Sequence, residues 1–191
     1  LVLPEPWCEA EVAALFDTLV NDLAESAYLR LVSVKWAMPF AYPAGHEPRV
    51  GEGWIVRDGG GDDSDIVVFA YGPWMLANAF DAAGLVEREA GATVRVVNLP
   101  WLNRVDSAWL GRTVGGCRSI VTLDNHYVHG GQGGMIAAAI AGLGLQPSPR
   151  LARVGVTELP ECGTNDEVLA HHGLDVAGLV KALRQAVPQL T

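Results

Sequence analysis

Cysteine is scarce in this chain: Cys8, Cys117 and Cys162 are the only three among 191 residues, odd in number and widely spaced. With no CxxC pair, a disulfide framework is excluded, and the pattern suits a reducing, cytoplasmic setting. Basic residues are also few. Thirteen Lys and Arg stand against 22 Asp and Glu, a net charge of −9. That surface would repel nucleic acid and anionic membranes, so neither is expected as a partner, although a local basic spot leaves room for an anionic substrate. No apolar run is long enough to span a bilayer; the longest, residues 135–145, falls well short of the ~20 residues a spanning helix needs. The opening LVLPEPW has no basic n-region and does not read as a secretory signal. Residue 1 is Leu, so the natural start is expected to lie upstream.

What is present is apolar and periodic. Half of the residues are hydrophobic, enough for a sizeable core. Residues 9–23 place Val12, Leu15, Phe16, Leu19, Val20 and Leu23 at helical spacing, and residues 27–34 read as a strand. A helix and a strand cannot bury their own faces, so residues 1–38 read as the tail of a domain whose body lies elsewhere. Residues 39–52, rich in proline and glycine, have a linker's composition. Strands are then expected at 53–57, 66–71, 93–98, 118–123 and 151–156. Helices are expected at 73–89, 106–112, 131–145, after Thr164, and at 175–187. Thr164 with Glu167 matches a capping box, and Asp175 stands at an N-cap position. The alternation predicts a three-layer αβα fold around a mostly parallel five-stranded sheet in a domain over 53–191. The first of these strands joins the next by a turn of about eight residues, too short for a crossover, and is expected to run antiparallel to its neighbour.

Residues 121–145 carry the densest signal. A strand is expected to end at Asp124, a loop to hold His126 and His129, and Gly130, Gly131, Gly133 and Gly134 to open an apolar helix. Two readings of this turn stand: close packing of the helix against neighbouring backbone, or an anion held at its N-terminus by Gly131, Gln132, Gly133 and Gly134. A dinucleotide fingerprint is incomplete, because Ile136 stands where the third glycine belongs, and no Gly-Lys-Ser/Thr phosphate loop follows. Asp124, His126 and His129 lack a fourth ligand at metal spacing, so no metal is expected and the histidines read as structural. His171 and His172 stand before Gly173 at a helix end, where they suit capping. Cys162 lies beside Glu161 with no base at hand and does not read as a nucleophile. Six tryptophans suggest interface burial as much as core.

The stretch VTLDNHYVHGGQGG resembles a glycine-rich segment of the transketolase C-terminal domain, in the version of 1-deoxy-xylulose-5-phosphate synthases and split transketolases. A second segment agrees at the expected distance through Gly155, Val156, Glu158, Glu161, Gly163, Thr164, Glu167, Leu169, Gly173, Leu174 and Asp175. Cys162 replaces a serine there. Residues 1–38 are similar to the end of the family's pyrimidine-binding domain, with Arg30 on the arginine of its P-x-Y-x-R strand. The resemblance implies that Arg30 binds a substrate phosphate, a role suited to a guanidinium. The synthases continue R-Y-P-R-G where this chain has Leu31, Val32, Ser33 and Val34, so the second arginine is missing.

The resemblance further implies an enzyme using thiamine diphosphate and Mg2+ for two-carbon ketol transfer between sugars. The cofactor would lie between pyrophosphate- and pyrimidine-binding domains outside this chain, which alone would bind neither cofactor nor metal and hold no catalytic residue. A homodimer and a sugar phosphate substrate are implied partners. Two alternatives remain open: the β subunit of a 2-oxo-acid dehydrogenase, against which the Gly163–Asp175 ending speaks, and a non-catalytic, anion-binding regulatory module.

Overall fold

Residues 66–70 carry no polar side chain, and residues 94–98 set Arg95 and Asn98 among three valines, the apolar character of strands covered on both faces. The computed structural model, which describes residues 1–187 apart from the Asp62 side chain, places them at the centre of a five-stranded sheet. In chain order the elements are α1 (Glu9–Asn21), β1 (Trp54–Arg57), β2 (Ile66–Ala70), α2 (Pro73–Ala90), β3 (Val94–Asn98), α3 (Ser107–Thr113), β4 (Ser119–Tyr127), α4 (Gln132–Leu143), β5 (Arg150–Val156), α5 (Asn165–His171) and α6 (Val176–Ala186). The sheet order is β1-β3-β2-β4-β5, with β3, β2, β4 and β5 parallel.

Alternation along β2 divides the core. Ile66, Val68 and Ala70 face α2 and α6, where Met75, Leu76, Val86, Leu179 and Leu183 are buried. Val67 and Phe69 face the other way, with Leu110 of α3 and Ile136 and Ile140 of α4. The three-layer αβα fold expected from the sequence is therefore the fold observed. Both expected caps are present: Thr164 and Glu167 form a reciprocal capping box on α5, and the Asp175 carboxylate accepts from the Gly178 N–H at 2.8 Å at the start of α6.

Three expectations need correction. β1 is antiparallel, but its neighbour is β3, with Trp54 opposite Asn98, because β2 already has β3 and β4 on its two edges. β4 runs on to Tyr127, so His126 lies on a strand rather than in a loop. Residues 27–34 form no regular strand. Tyr28 and Arg30 donate backbone N–H groups to the carbonyls of Val2 and Pro4 at 2.8 and 2.9 Å, and the ladder stops there, since Pro4 and Pro6 have no N–H to extend it.

The N-terminal segment is stitched to the sheet domain on its other side. Glu5 N–H donates to the Pro100 carbonyl and Leu102 N–H to that of Leu3, at 2.8 and 2.7 Å. Residues 37–52 contain no helix or strand, yet Phe40 and Tyr42 pack edge-on and tilted against Trp7 and Trp54. α1 buries Leu15 completely but leaves Phe16 and Val20 57% and 60% exposed. Among the described residues no helix is long and apolar enough to cross a membrane.

Leu179→Ala would open a cavity between α6 and α2 and is expected to cost about 2–5 kcal/mol, read as a lowered urea midpoint. Phe16→Ser, on the exposed face of α1, is expected to stay within about 0.5 kcal/mol in the same measurement.

Candidate functional site

In an open parallel sheet the crevice for a ligand lies at the carboxyl ends of the strands, where successive connections leave in opposite directions. Here that point falls between β2 and β4, since β2 connects to β3 on one side and β3 to β4 on the other. Tyr71 and Gly72 leave β2 there, and Asp124 and Asn125 lie toward the end of β4.

Asp124 is fully buried and makes three hydrogen bonds. Its Oδ1 accepts from the Tyr71 hydroxyl at 3.0 Å and from Gln132 N–H at 2.8 Å, and its Oδ2 accepts from Gly133 N–H at 3.2 Å. The α4 N-terminus is thus already engaged by a side chain of the chain itself. Burial, followed by the nearby Asp124 and Glu5 carboxylates, pushes the Tyr71 phenol far above its ordinary range, so it stays a donor. A Cβ on Gly131 would stand 2.5 Å from the Asp124 carboxyl carbon, and one on Gly133 would collide with the Thr122 hydroxyl. These glycines serve close approach. Gln132 is equally committed, donating from Nε2 to the carbonyls of Leu99 and Trp101 at 2.8 and 3.0 Å. Gly134 N–H turns back to the Gly131 carbonyl at 3.1 Å.

The crevice itself is filled by the N-terminal segment. Glu5 is completely buried; its Oε1 accepts from Asn125 Nδ2 at 2.6 Å, and a Cβ on Gly72 would collide with that same oxygen. Its Oε2 lies 3.0 Å from Arg30 Nη1, with the Arg30 side chain one third exposed. Burial raises the Glu5 pKa, opposed by Arg30 and by Asn125. A second buried acid lies in the first turn of α1. Glu11 accepts from Trp7 N–H at 2.9 Å and from Asn98 Nδ2 at 2.5 Å, and burial pushes its pKa up to about 7 against those two hydrogen bonds.

Arg30 and the glycine turn are therefore linked through Glu5, Asn125 and Asp124 at the carboxyl end of the strands. His126 is half-buried on β4, and His129 is exposed beyond it. Among the described residues no group of three or more His, Cys, Asp and Glu side chains could hold a metal ion. Sequence reasoning missed Glu5, Glu11, Tyr71 and Asn125. The one available signal was a carboxylate set between two prolines and a tryptophan, Pro4-Glu5-Pro6-Trp7, an apolar setting unlike that of a solvated acid.

Comparison with known proteins agrees with this architecture. Residues 55–179 match the family model for the transketolase C-terminal domain. The chain belongs to this family. It is 33% identical over 149 residues to the 1-deoxy-D-xylulose-5-phosphate synthase of Polaromonas naphthalenivorans, covering 74% of this chain and 21% of the synthase. It is 26% identical over 177 residues to one of the subunits of the apulose-4-phosphate transketolase of Actinobacillus succinogenes, covering 92% of this chain and 53% of that one. The chain thus spans about a fifth to a half of the length of these relatives. A solved split-gene transketolase, an inactive β4 tetramer, superposes with a TM-score of 0.82 at 24% identity, over 97% of this chain and 57% of that one, which is a likeness of fold.

Two outcomes are expected from the buried acids. Asp124→Ala leaves the Tyr71 hydroxyl and two helix-start amides without their acceptor and should lower stability by about 3 kcal/mol or more in urea titration. Glu11 has a folded pKa raised to about 7 above an ordinary 4.5, so its contribution is full below pH 4.5 and is lost as pH rises through 7. The wild-type chain should therefore lose roughly 3 kcal/mol relative to Glu11→Gln across that window, at about 1.4 kcal/mol per pKa unit. Urea midpoints at stepped pH measure the difference.

Proposed function

We propose that this chain is the C-terminal section of a thiamine-diphosphate-dependent, transketolase-like transferase, supplying assembly contacts and one substrate contact to a two-carbon ketol transfer between sugars. The observation that carries the reading is the combination of the matched family domain with an appended N-terminal segment that presents Arg30 at its edge. Residues 1–38 read as the end of a pyrimidine-binding domain and 39–52 as its linker to the domain over 53–191; residues 188–191 lie outside the described structure. Phe16, Val20, Tyr28 and Leu31, all more than half exposed, then form the seat for the rest of that domain. Arg30 is the residue we assign to the phosphate of a sugar phosphate substrate.

The residues present do not fit the cofactor. Diphosphate with Mg2+ calls for clustered oxygen ligands and free helix-start amides. The described residues include no such ligand cluster, and Asp124 engages the amides of Gln132 and Gly133. We therefore assign thiamine diphosphate and Mg2+ to the pyrophosphate- and pyrimidine-binding parts of a cytoplasmic homodimer, and no step through the cofactor is derived from this chain.

The test is to assay the full-length enzyme with thiamine diphosphate and Mg2+ against ketose phosphates. Two-carbon transfer is expected, with no turnover from the 191-residue chain alone. Tight binding of thiamine diphosphate by the isolated chain in calorimetry, without any partner, would overturn the assignment.

A further inference from the structure

Arg30 is held in a way that an arginine on a free surface segment would not need. Its partner, Glu5, is wholly buried, and both residues are tied down by backbone as well: Arg30 N–H to the Pro4 carbonyl at 2.9 Å, and Glu5 N–H to the Pro100 carbonyl at 2.8 Å. The Glu5 carboxylate is held by one hydrogen bond and one ion pair. Asn125, from β4 of the sheet domain, donates to Oε1 at 2.6 Å, and Arg30 Nη1 faces Oε2 at 3.0 Å. A carboxylate removed from water is costly unless it is paired, so each grip supports the other. The remaining edge of the guanidinium meets no other carboxylate among the described residues, and a third of the side chain reaches solvent.

We propose that Glu5, pinned by Asn125, is a positioning residue that sets the Arg30 guanidinium for the phosphate of the sugar substrate. The proposal rests on the reading of Arg30 given above. A free arginine side chain samples many rotamers, and ordering it weakens any contact made through it. With Nη1 held by charge 3.0 Å from a buried carboxylate, the guanidinium is confined to this place before the phosphate arrives, and its outward N–H groups can be offered together. The Glu5 charge lowers the net positive charge of the pair, so its value here is orientation, not attraction. It also makes the sheet domain, through Asn125, responsible for the geometry of a contact that stands on the N-terminal segment.

The experiment is steady-state kinetics of the full-length enzyme on a phosphorylated sugar and on its unphosphorylated counterpart. Arg30→Ala, Glu5→Gln and Asn125→Ala are compared, each with its thermal midpoint. Arg30→Ala should raise KM for the phosphorylated sugar by about a hundredfold, Glu5→Gln by about tenfold and Asn125→Ala by about threefold, with kcat and the unphosphorylated sugar hardly affected. The double variant Glu5→Gln/Arg30→Ala should be no worse than Arg30→Ala. Asn125→Ala keeps the Glu5 charge in place, so it separates positioning from electrostatics and remains informative if Glu5→Gln does not fold. An unchanged or lowered KM in Glu5→Gln and Asn125→Ala, with Arg30→Ala still impaired, overturns the positioning role and leaves Arg30 standing. Equal losses on both sugars, tracking the thermal midpoint, reduce Glu5 to a structural residue. An Arg30→Ala enzyme with normal KM overturns both readings.

Discussion

A carboxylate in a dry interior is costly to the fold until it has donors around it, and this constraint organises the carboxyl edge of the sheet. Asp124 meets it with a tyrosine hydroxyl and two helix-start amides, which fixes α4 to the end of β4. Glu11 meets it with Asn98 and the Trp7 amide, and Glu5 with one hydrogen bond from Asn125 and the ion pair with Arg30, which together fix the N-terminal segment to the same edge. These bonds add to the backbone bonds of Glu5 and Leu102 and the burial of Val2, Trp7 and Leu15 in holding the segment, and to the burial of Ile136 and Ile140 in holding α4.

The arrangement also explains why the place where related architectures hold ligands is a joint in this chain. The gap between the ends of β2 and β4 accepts Glu5 because Gly72 has no side chain to obstruct it, and the start of α4 is satisfied from within by Asp124. Neither feature disposes the sheet domain toward binding diphosphate. Both dispose it toward holding another part of the protein in a defined orientation, as the family relationship and the partial coverage of relatives suggest.

Much of this was legible in the residues. The continuous apolar run of residues 66–70 marked β2 as buried, capping chemistry placed α5 and α6, and the strand–helix alternation with the family resemblance pointed to the fold. The site was harder to see. Gly131 and Gly133 look alike whether glycine is needed for a ligand or for a buried carboxylate, and no local pattern shows that Asp124 lies against Gly131. β1 found an unexpected neighbour because a short turn sets direction but not which strand edge is free. The Glu5–Asn125 contact links residues 120 positions apart, beyond the reach of any local pattern.

That separation has a consequence for how the chain comes into being. Synthesis runs from the amino to the carboxyl end, so Glu5 leaves the ribosome long before Pro100 or Asn125 exists to receive it. Until β4 has been made and laid beside β2, its carboxylate belongs in water, and residues 1–30 have no seat on the sheet domain. Docking of this segment on the sheet domain is therefore a late event that follows construction of the sheet.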